Sequence, residues 1–279
     1  MATVASAIKV TNITPAIGAV VEGVDMSRPI DPQTVAELRK AWLDRGVLFF
    51  RGQDISEEQL EAFAGYFGKP VTEPSNASFG EDPNRPPVHS GDSGQFKRVA
   101  ERWHADATWL EHPPTATALR MHQPPANGGG DTCWSNVTLA YEELIPPIRQ
   151  MLDQLEAVHW MAPSLAAMGA RAQNDDIEWI HPVVAVHPET GRKALFVSEG
   201  WTKCIAGIPS AQSVHLLAMI YDHIRSPFYF MRWHWAAGDV ALWDNRAVQH
   251  FAVPDYESGR IIQRVVTEGW TPRGPGQAR

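Results

Sequence analysis

The sequence predicts a mainly β protein with flanking helices, folded as a double-stranded β-helix, or jelly roll. Short runs rich in aromatic and β-branched residues crowd the C-terminal half: FYFMRWHW (228–235), VALWD (240–244) and RIIQRVVTEGW (260–270). Turn signals such as AAGD separate these runs, as in proteins built from stacked sheets. No linker or internal repeat divides the sequence, so we predict one domain over residues 1–279.

The N-terminal part predicts two capped helices around a buried strand. An aspartate followed by a proline is typical of a helix start, and it predicts a helix over 31–44. The apolar run GVLFFRG predicts a buried strand at 46–52. Ser56 with Gln59 three residues later fits a capping box, which predicts a helix to about Phe67.

The middle of the chain predicts strands and helices in alternation. Strands are predicted at 115–122, 132–136 and 193–199. Short helices are predicted within 138–156, with a break at the two prolines 146–147. A further helix is capped by Ser210, and its apolar face carries Val214, Leu217 and Ile220 or Tyr221. Two stretches rich in loop-forming residues, 70–102 and 162–180, are long enough to predict lids over a site.

Composition excludes several classes of partner. The net charge of −8 argues against nucleic-acid binding, and no apolar run reaches the 18 or so residues that a membrane span needs. The first residues lack the pattern of a signal peptide, and two cysteines do not form a disulfide framework. We therefore expect a cytoplasmic protein that acts on a small molecule.

Three residues offer the ligand set of a metal site. His104 and Asp106 are two positions apart, a spacing that points both side chains to one side of a strand, and His250 lies near the C-terminus. Two imidazoles and a carboxylate hold Fe(II) on one face and leave positions open for a co-substrate and O2. A surface histidine beside a capping aspartate has the same H-x-D spacing, so the pattern alone leaves both interpretations open. The polar turn 244–246 is expected to hold the strand of His250.

An anion site is predicted beside the metal. Arg260 follows His250 by ten residues, and Thr132 follows a glycine-rich turn. A guanidinium binds a carboxylate through two parallel hydrogen bonds, and a hydroxyl adds a third. The pair therefore suits the far end of a dicarboxylate.

The chain resembles the taurine dioxygenase/2,4-dichlorophenoxyacetate dioxygenase (TauD/TfdA) family of Fe(II)- and 2-oxoglutarate-dependent oxygenases. The resemblance spans nearly the whole sequence, and the motifs that carry it are GVLFFRGQ, FG at 67–68, WHADATW, GGDTCWSN, HPVVAVHPETGRKALFVSEG, RWHWAAGDVALWDNRAVQH and RIIQR. It implies the jelly-roll fold, Fe(II) and O2 as cofactors, 2-oxoglutarate as co-substrate, and a homo-oligomer, either a dimer or a tetramer.

The resemblance also implies roles for individual residues. The iron ligands and catalytic residues are His104, Asp106 and His250, and the residues that bind the distal carboxylate of 2-oxoglutarate are Thr132 and Arg260. Arg264 contacts the anionic end of the substrate or the inner carboxylate of the co-substrate. The backbone of Ala107 approaches the substrate, and Glu73 replaces a sulfonate-binding histidine.

The implied activity is hydroxylation of a small organic acid, with succinate and CO2 as co-products. A sulfonate, an alkyl sulfate and an aryloxy acid all fit an arginine as the anion contact. Taurine fits poorly, because Glu73 repels a sulfonate and Ala100 replaces an amide side chain. Two alternatives stay open: the same oxidising chemistry with another outcome, such as desaturation, and a metal-binding jelly-roll module without catalysis.

Overall fold

The computed structural model describes residues 8–71, 102–161, 178–256 and 259–277. Its larger sheet contains, from edge to edge, β1 (Lys9–Asn12), β2 (Ala19–Glu22), β3 (Val47–Phe50), β13 (Val240–Asp244), β5 (Ala116–Gln123), β15 (Ile261–Thr267) and β4 (Pro70–Val71). Neighbouring strands are antiparallel except β2 and β3, which are parallel.

A smaller sheet faces the larger one. It consists of β12 (Phe230–Trp233), β6 (Thr132–Asn136) and β14 (Val248–Ala252), with β6 in the centre and both pairings antiparallel. The core between the sheets is aromatic: Phe49 of β3 stacks on Trp233 with ring centroids 4.0 Å apart, and Trp134 packs edge-on against Trp243. Two facing, mainly antiparallel sheets around one core confirm the predicted jelly roll.

Helices α1 (Pro32–Arg45) and α2 (Glu57–Ala64) cover the outer face of the larger sheet. Both predicted caps are present: Asp31 accepts hydrogen bonds from the backbone amides of Gln33 and Thr34, and Ser56 forms a capping box with Gln59. The second helix ends at Ala64, three residues before the predicted end at Phe67.

A third layer covers the smaller sheet. It comprises α3 (Val137–Glu142), α4 (Pro146–Leu152), β7 (Glu156–Trp160), β8 (Glu178–Pro182), β9 (Val184–Val186), β10 (Lys193–Leu195), β11 (Thr202–Ile205) and α5 (Ser210–Ile224). The break at the two prolines is confirmed, but residues from Glu156 onward form a strand, and β10 ends four residues before the predicted 199.

The start and the buried face of α5 differ from the prediction. The capping position is Pro209, and Ser210 is the first helical residue, with no side-chain hydrogen bond at the cap. The buried side is formed by Ser213, Leu217, Ile220 and Ile224, whereas Val214 is 63% exposed. Packing against the other elements of the third layer decides which face of α5 is buried. Helical spacing alone had placed Val214 on that face.

Both predicted lids begin or end in regular structure. Residues 70–71 form β4, paired with β15, and 178–180 belong to β8, paired with β7, so the second predicted lid is too long. Residues 72–101, which include Glu73 and Ala100, and residues 162–177 lie outside the described residues. The single domain over 1–279 stays a prediction. In the described parts of the chain, none of the helices combines the length and apolar composition that a bilayer crossing needs.

Two buried histidines should make the free energy of unfolding depend on pH. His159 and His181 pack on Phe196 in the third layer, and burial lowers the pKa of His159 well below its usual value and that of His181 to about 4. The unfolded chain therefore binds protons that the folded chain excludes, so the free energy of unfolding falls as the pH drops from 6.5 towards 4. Each histidine contributes a slope of about 1.4 kcal/mol per pH unit.

Chemical denaturation at a series of pH values measures this slope. His181→Gln keeps a donor for the Leu110 carbonyl, which the ring contacts at 2.9 Å, but removes the titrating group. We expect the variant to lose stability less steeply below pH 6.5 than the wild type does. Parallel curves for the two proteins would contradict the assignment.

Candidate active site

The two histidines of the predicted metal site are joined through their backbones. His104 and His250 form an isolated antiparallel bridge, with N–H···O distances of 3.0 Å and 2.8 Å. His250 lies on β14 opposite Trp134 of the central strand β6, so the bridge extends the smaller sheet by one residue pair. This pairing brings two residues far apart in sequence to one edge, with ring centroids 4.2 Å apart.

Asp106 completes the cluster. Its Oδ1 lies 3.8 Å from Nε2 of His104 and 3.5 Å from Nε2 of His250, and one ligand atom from each of the three residues lies within 4.8 Å of the others. All three side chains are buried. The structure therefore brings together the three side chains that the sequence singled out, with two nitrogens and one oxygen converging on one point.

A hydrogen-bond network fixes the carboxylate. Thr117 of β5 donates its hydroxyl to Oδ2 of Asp106 at 2.7 Å and accepts from Nδ2 of Asn245 at 2.9 Å. The side-chain oxygen of Asn245 accepts from the backbone N–H of Asp106 at 3.2 Å and from the indole of Trp243 at 3.1 Å. Asn245 belongs to the predicted polar turn, whereas Thr117 was missed, because nothing in its local sequence distinguishes it from a core strand residue.

The neighbours of Asn245 anchor that turn. Asp244 accepts two hydrogen bonds from the Arg246 guanidinium at 2.7 Å and 2.8 Å and contacts His187 Nε2 at 2.9 Å, with all three side chains buried. Arg246 also donates to Glu189 at 2.8 Å. This buried ion cluster holds the turn that leads into β14, and so positions both Asn245 and His250.

The electrostatics suit a cation. Nδ1 of His104 donates to the Arg102 carbonyl at 2.6 Å, which leaves its Nε2 with a free lone pair towards the cluster. Burial lowers the pKa of both His104 and His250, so the rings stay neutral at pH 7. Burial alone would raise the pKa of Asp106, but Arg264 and the two histidines outweigh it and hold that pKa below its usual value. Neutral imidazoles and an ionised carboxylate are the forms that bind a metal.

We expect Thr117→Val to weaken metal binding by about tenfold to a hundredfold, because a buried oxygen of Asp106 loses its donor. Valine has nearly the same shape as threonine, but it also removes the acceptor of Asn245 Nδ2, so the melting temperature of the variant is measured alongside. Titration of the apo-protein with Fe(II) under anaerobic conditions measures the affinity. Thr117→Ser, which keeps the hydroxyl, is the matched control, and an unchanged affinity in the valine variant would show that other contacts orient Asp106.

The chain leaves the cluster through an unusual turn. Ala107 has a φ of 47°, a left-handed conformation that costs an alanine free energy, and it is buried. Its carbonyl accepts from the Leu110 backbone amide at 3.1 Å, which closes the turn. On the opposite side, Gly200 packs against His104 so tightly that an added Cβ would lie 3.1 Å from the His104 Cβ. Both features hold the histidine–aspartate segment in place.

A buried arginine lies next to this cluster. Arg260 is 5% exposed, and its Nη2 lies 3.4 Å from Oγ1 of Thr132. Among the described residues no carboxylate forms an ion pair with it, and its Nε has no hydrogen-bond partner. Burial lowers the pKa of Arg260, although a guanidinium stays charged in proteins. A buried cation of this kind suits an anionic ligand.

The hydroxyl of Thr132 is oriented by a residue that the sequence did not single out. Trp235 donates its indole N–H to Oγ1 of Thr132 at 3.0 Å, and Arg260 approaches the same oxygen. Since both neighbours are donors, the hydroxyl proton is directed elsewhere. The Thr132 hydroxyl can therefore donate a hydrogen bond to an oxygen of a bound anion.

The second predicted arginine reaches the metal cluster itself. Arg264 of β15 forms an ion pair with Oδ1 of Asp106, and its guanidinium lies 5.8 Å from the centre of the Trp243 ring. Its side chain is 22% exposed, more than the ligands beside it. Glu73, the remaining predicted contact, lies outside the described residues.

A jelly roll that places two histidines and an aspartate beside a buried arginine has the design of an oxygenase with a dicarboxylate co-substrate. Residues 9–266 match the taurine catabolism dioxygenase TauD, TfdA family. The chain belongs to this family, and it is a 2-oxoglutarate-dependent dioxygenase.

Named relatives extend the comparison. The chain is 38% identical to an alpha-ketoglutarate-dependent sulfate ester dioxygenase of Pseudomonas putida, over 92% of this chain and 88% of that protein. It is 34% identical to an alkylsulfatase of Acinetobacter baylyi, over 96% and 87% of the two chains. Among solved structures, a taurine dioxygenase from Burkholderia xenovorans superposes with a TM-score of 0.82 at 37% identity, covering 96% of this chain and 91% of the other.

Proposed function

We propose that this dioxygenase uses Fe(II) held by His104, Asp106 and His250 to hydroxylate a small organic acid, with sulfate esters as its substrate class. The observation that carries the proposal is the convergence of these three ligand atoms beside the buried Arg260. An Fe(II) ion bound there with 2-oxoglutarate and O2 supplies the oxidising chemistry, which yields succinate and CO2.

The protein's part is to fix the ligand geometry. The backbone bridge holds the two histidines at one spacing, and Thr117 and Asn245 hold the carboxylate. His104, Asp106 and His250 would hold Fe(II) from one side, and this ligand set would leave positions for the co-substrate and O2. The buried position of the ligands keeps bulk water from the oxidant.

Arg260 and Thr132 bind the distal carboxylate of 2-oxoglutarate. The guanidinium supplies charge and the Thr132 hydroxyl supplies a proton that Trp235 orients. Low exposure strengthens both interactions, because water does not compete for the carboxylate. Arg260 lies near enough to His250 for its charge to add to burial in lowering the pKa of that imidazole, so the other end of the bound dicarboxylate would face the metal cluster.

Arg264 is the contact for the acidic group of the substrate or for the inner carboxylate of 2-oxoglutarate. Its ion pair with Asp106 places a cation at the metal cluster, and its partial exposure leaves it accessible to a ligand. A tetrahedral sulfate ester offers three oxygens to such a guanidinium. Ala107 contributes its backbone to the same pocket, and Glu73 and Ala100 disfavour taurine.

The names of two relatives favour a sulfate ester over the other acids. The Pseudomonas protein is named a sulfate ester dioxygenase, and the Acinetobacter protein is named an alkylsulfatase. Hydroxylation of the carbon next to the ester oxygen gives an unstable adduct, in which the carbon–oxygen bond to sulfate breaks. The hydroxyl loses its proton, and an aldehyde or ketone and free sulfate result.

A substrate screen tests the proposal. The Fe(II)-loaded enzyme is given 2-oxoglutarate, O2 and, in separate reactions, a medium-chain alkyl sulfate, the matching alkyl sulfonate, a phenoxypropionate and taurine. We expect succinate from all substrates that are accepted, the highest kcat/KM for the alkyl sulfate, and one sulfate released for each succinate. Succinate without sulfate would indicate plain hydroxylation or desaturation, and no succinate with any of the four acids would overturn sulfate esters as the substrate class. A cytoplasmic location and assembly as a dimer or tetramer remain predictions.

A further inference from the structure

Two turns meet directly beside Arg260. One connects β5 to β6 and includes residues 127–131, and the other follows β14 and includes residues 253–256. We call these two segments together the clasp. The first ends in Asp131, the residue before Thr132, and the second contains Tyr256, whose buried ring lies 5.8 Å from the guanidinium of Arg260. The clasp is therefore directly connected to Thr132 and packs against Arg260, the two residues proposed to bind the distal carboxylate.

Asp255 holds the two turns together. Its Oδ1 accepts the backbone N–H of Gly130 at 2.7 Å, and its carbonyl accepts from Nδ2 of Asn127 at 2.9 Å. Its Oδ2 accepts from Nη2 of Arg232 on β12 at 3.0 Å. One residue of the second turn thus contacts two residues of the first turn and a cation on a third segment.

Arg232 extends the link to the residue beside Thr132. Its Nε donates to Oδ2 of Asp131 at 2.5 Å, and Asp131 also contacts Nδ1 of His234 at 2.8 Å. The backbone carbonyl of Asp131 accepts from the amide of Val253 at 2.8 Å. Arg232 therefore lies between the carboxylates of Asp131 and Asp255 and neutralises their repulsion.

The turns approach so closely that only glycine fits between them. A Cβ on Gly129 would lie 2.3 Å from the carbonyl oxygen of Asp255. Gly130 has a φ of 76°, and a Cβ there would lie 3.2 Å from the Tyr256 ring and 3.4 Å from Cδ of Arg260. The position of the arginine side chain thus depends on how closely the clasp is held.

We propose that Asp255 is a positioning residue for 2-oxoglutarate, acting through the clasp on Arg260 and Thr132. The proposal rests on the proposed role of those two residues in binding the distal carboxylate. Without Asp255 the turns separate, Arg232 loses one of its two carboxylates, and water reaches the guanidinium of Arg260. A hydrated guanidinium binds a carboxylate more weakly, because water competes for its donors.

Asp255→Ala tests this role. We expect the dissociation constant of 2-oxoglutarate to rise about tenfold, the size of one charge-assisted hydrogen bond. Calorimetry on the Fe(II)-loaded protein without O2 measures binding, independent of turnover. The KM for 2-oxoglutarate should rise in parallel, while the KM for the acid substrate and kcat at saturating co-substrate stay unchanged. A general loss of structure would move all of these together.

Matched variants sharpen the test. Glu142→Ala removes an exposed ion pair in a part of the fold away from the clasp. The Glu142 side chain is 38% exposed and that of its partner Arg192 is 39% exposed, and the variant should leave 2-oxoglutarate binding unchanged. Asp255→Asn keeps an acceptor for Gly130 but loses the charge facing Arg232, so its effect should be smaller than that of alanine. Gly129→Ala, which separates the turns without altering a charge, should weaken binding in the same direction.

The outcomes separate this role from the proposed function. Wild-type affinity for 2-oxoglutarate in both Asp255→Ala and Gly129→Ala would overturn the role of the clasp and leave the proposed function intact. If Arg260→Ala also binds 2-oxoglutarate as the wild type does, the proposed co-substrate site is itself wrong.

Discussion

Asp106→Ala should abolish turnover and reduce Fe(II) affinity by more than about a hundredfold, since losing a ligand exceeds the effect of losing a ligand's hydrogen-bond partner. The carboxylate is the only anion among the three ligand side chains, and it neutralises part of the metal's charge in a buried site. Without it, this carboxylate no longer offsets the positive charge of Arg264, and that charge opposes a cation at the cluster. Anaerobic Fe(II) titration and succinate release measure the two effects.

A control separates this effect from misfolding. Asp222→Ala removes an exposed carboxylate, 80% exposed in its pair with Arg225, and should retain wild-type iron affinity and turnover. The metal-free Asp106→Ala protein should melt somewhat below the metal-free wild type, because Arg264 and Thr117 lose the carboxylate that they contact, and its melting curve shows whether it is folded at the temperature of the titration. Retention of iron binding and succinate formation in Asp106→Ala would refute the ligand assignment.

Arg260→Ala should raise the dissociation constant of 2-oxoglutarate about thirtyfold or more. Truncating one partner of a buried, hydrogen-bonded charge pair costs about 2–5 kcal/mol, and each 1.4 kcal/mol is tenfold. The arginine is 5% exposed, so water cannot replace it at the ligand carboxylate. Calorimetry with the Fe(II)-loaded protein in the absence of O2 measures the constant directly.

Two further variants define what the arginine supplies. Arg260→Lys keeps the charge but loses the planar pair of donors, so it should recover only part of the affinity. Arg192→Ala removes a guanidinium from the exposed pair with Glu142 and serves as the control for loss of positive charge. An unchanged constant in Arg260→Ala would show that another group holds the co-substrate.

Local sequence determined the elements whose hydrogen bonds close within a few residues. The cap of α1 joins Asp31 to amides two and three residues away, and the capping box of α2 spans Ser56 to Gln59. Such contacts depend only on the nearby chain, so both helix starts could be predicted. The helix α5 has no side-chain cap, and its start and its buried face were decided by packing instead.

The candidate site divides in the same way. Residue types and spacing singled out His104, Asp106, His250 and Arg260, because few side chains can perform that chemistry, and the family resemblance added Arg264. The groups that orient them could not be read from the sequence: Thr117 bonds Asn245 across 128 positions, and Trp235 bonds Thr132 across 103. These contacts exist only because β5 pairs with β13 in the larger sheet and β6 pairs with β12 in the smaller one. A hydroxyl or an indole is equally acceptable in any strand, and only the tertiary structure decides which one meets a ligand.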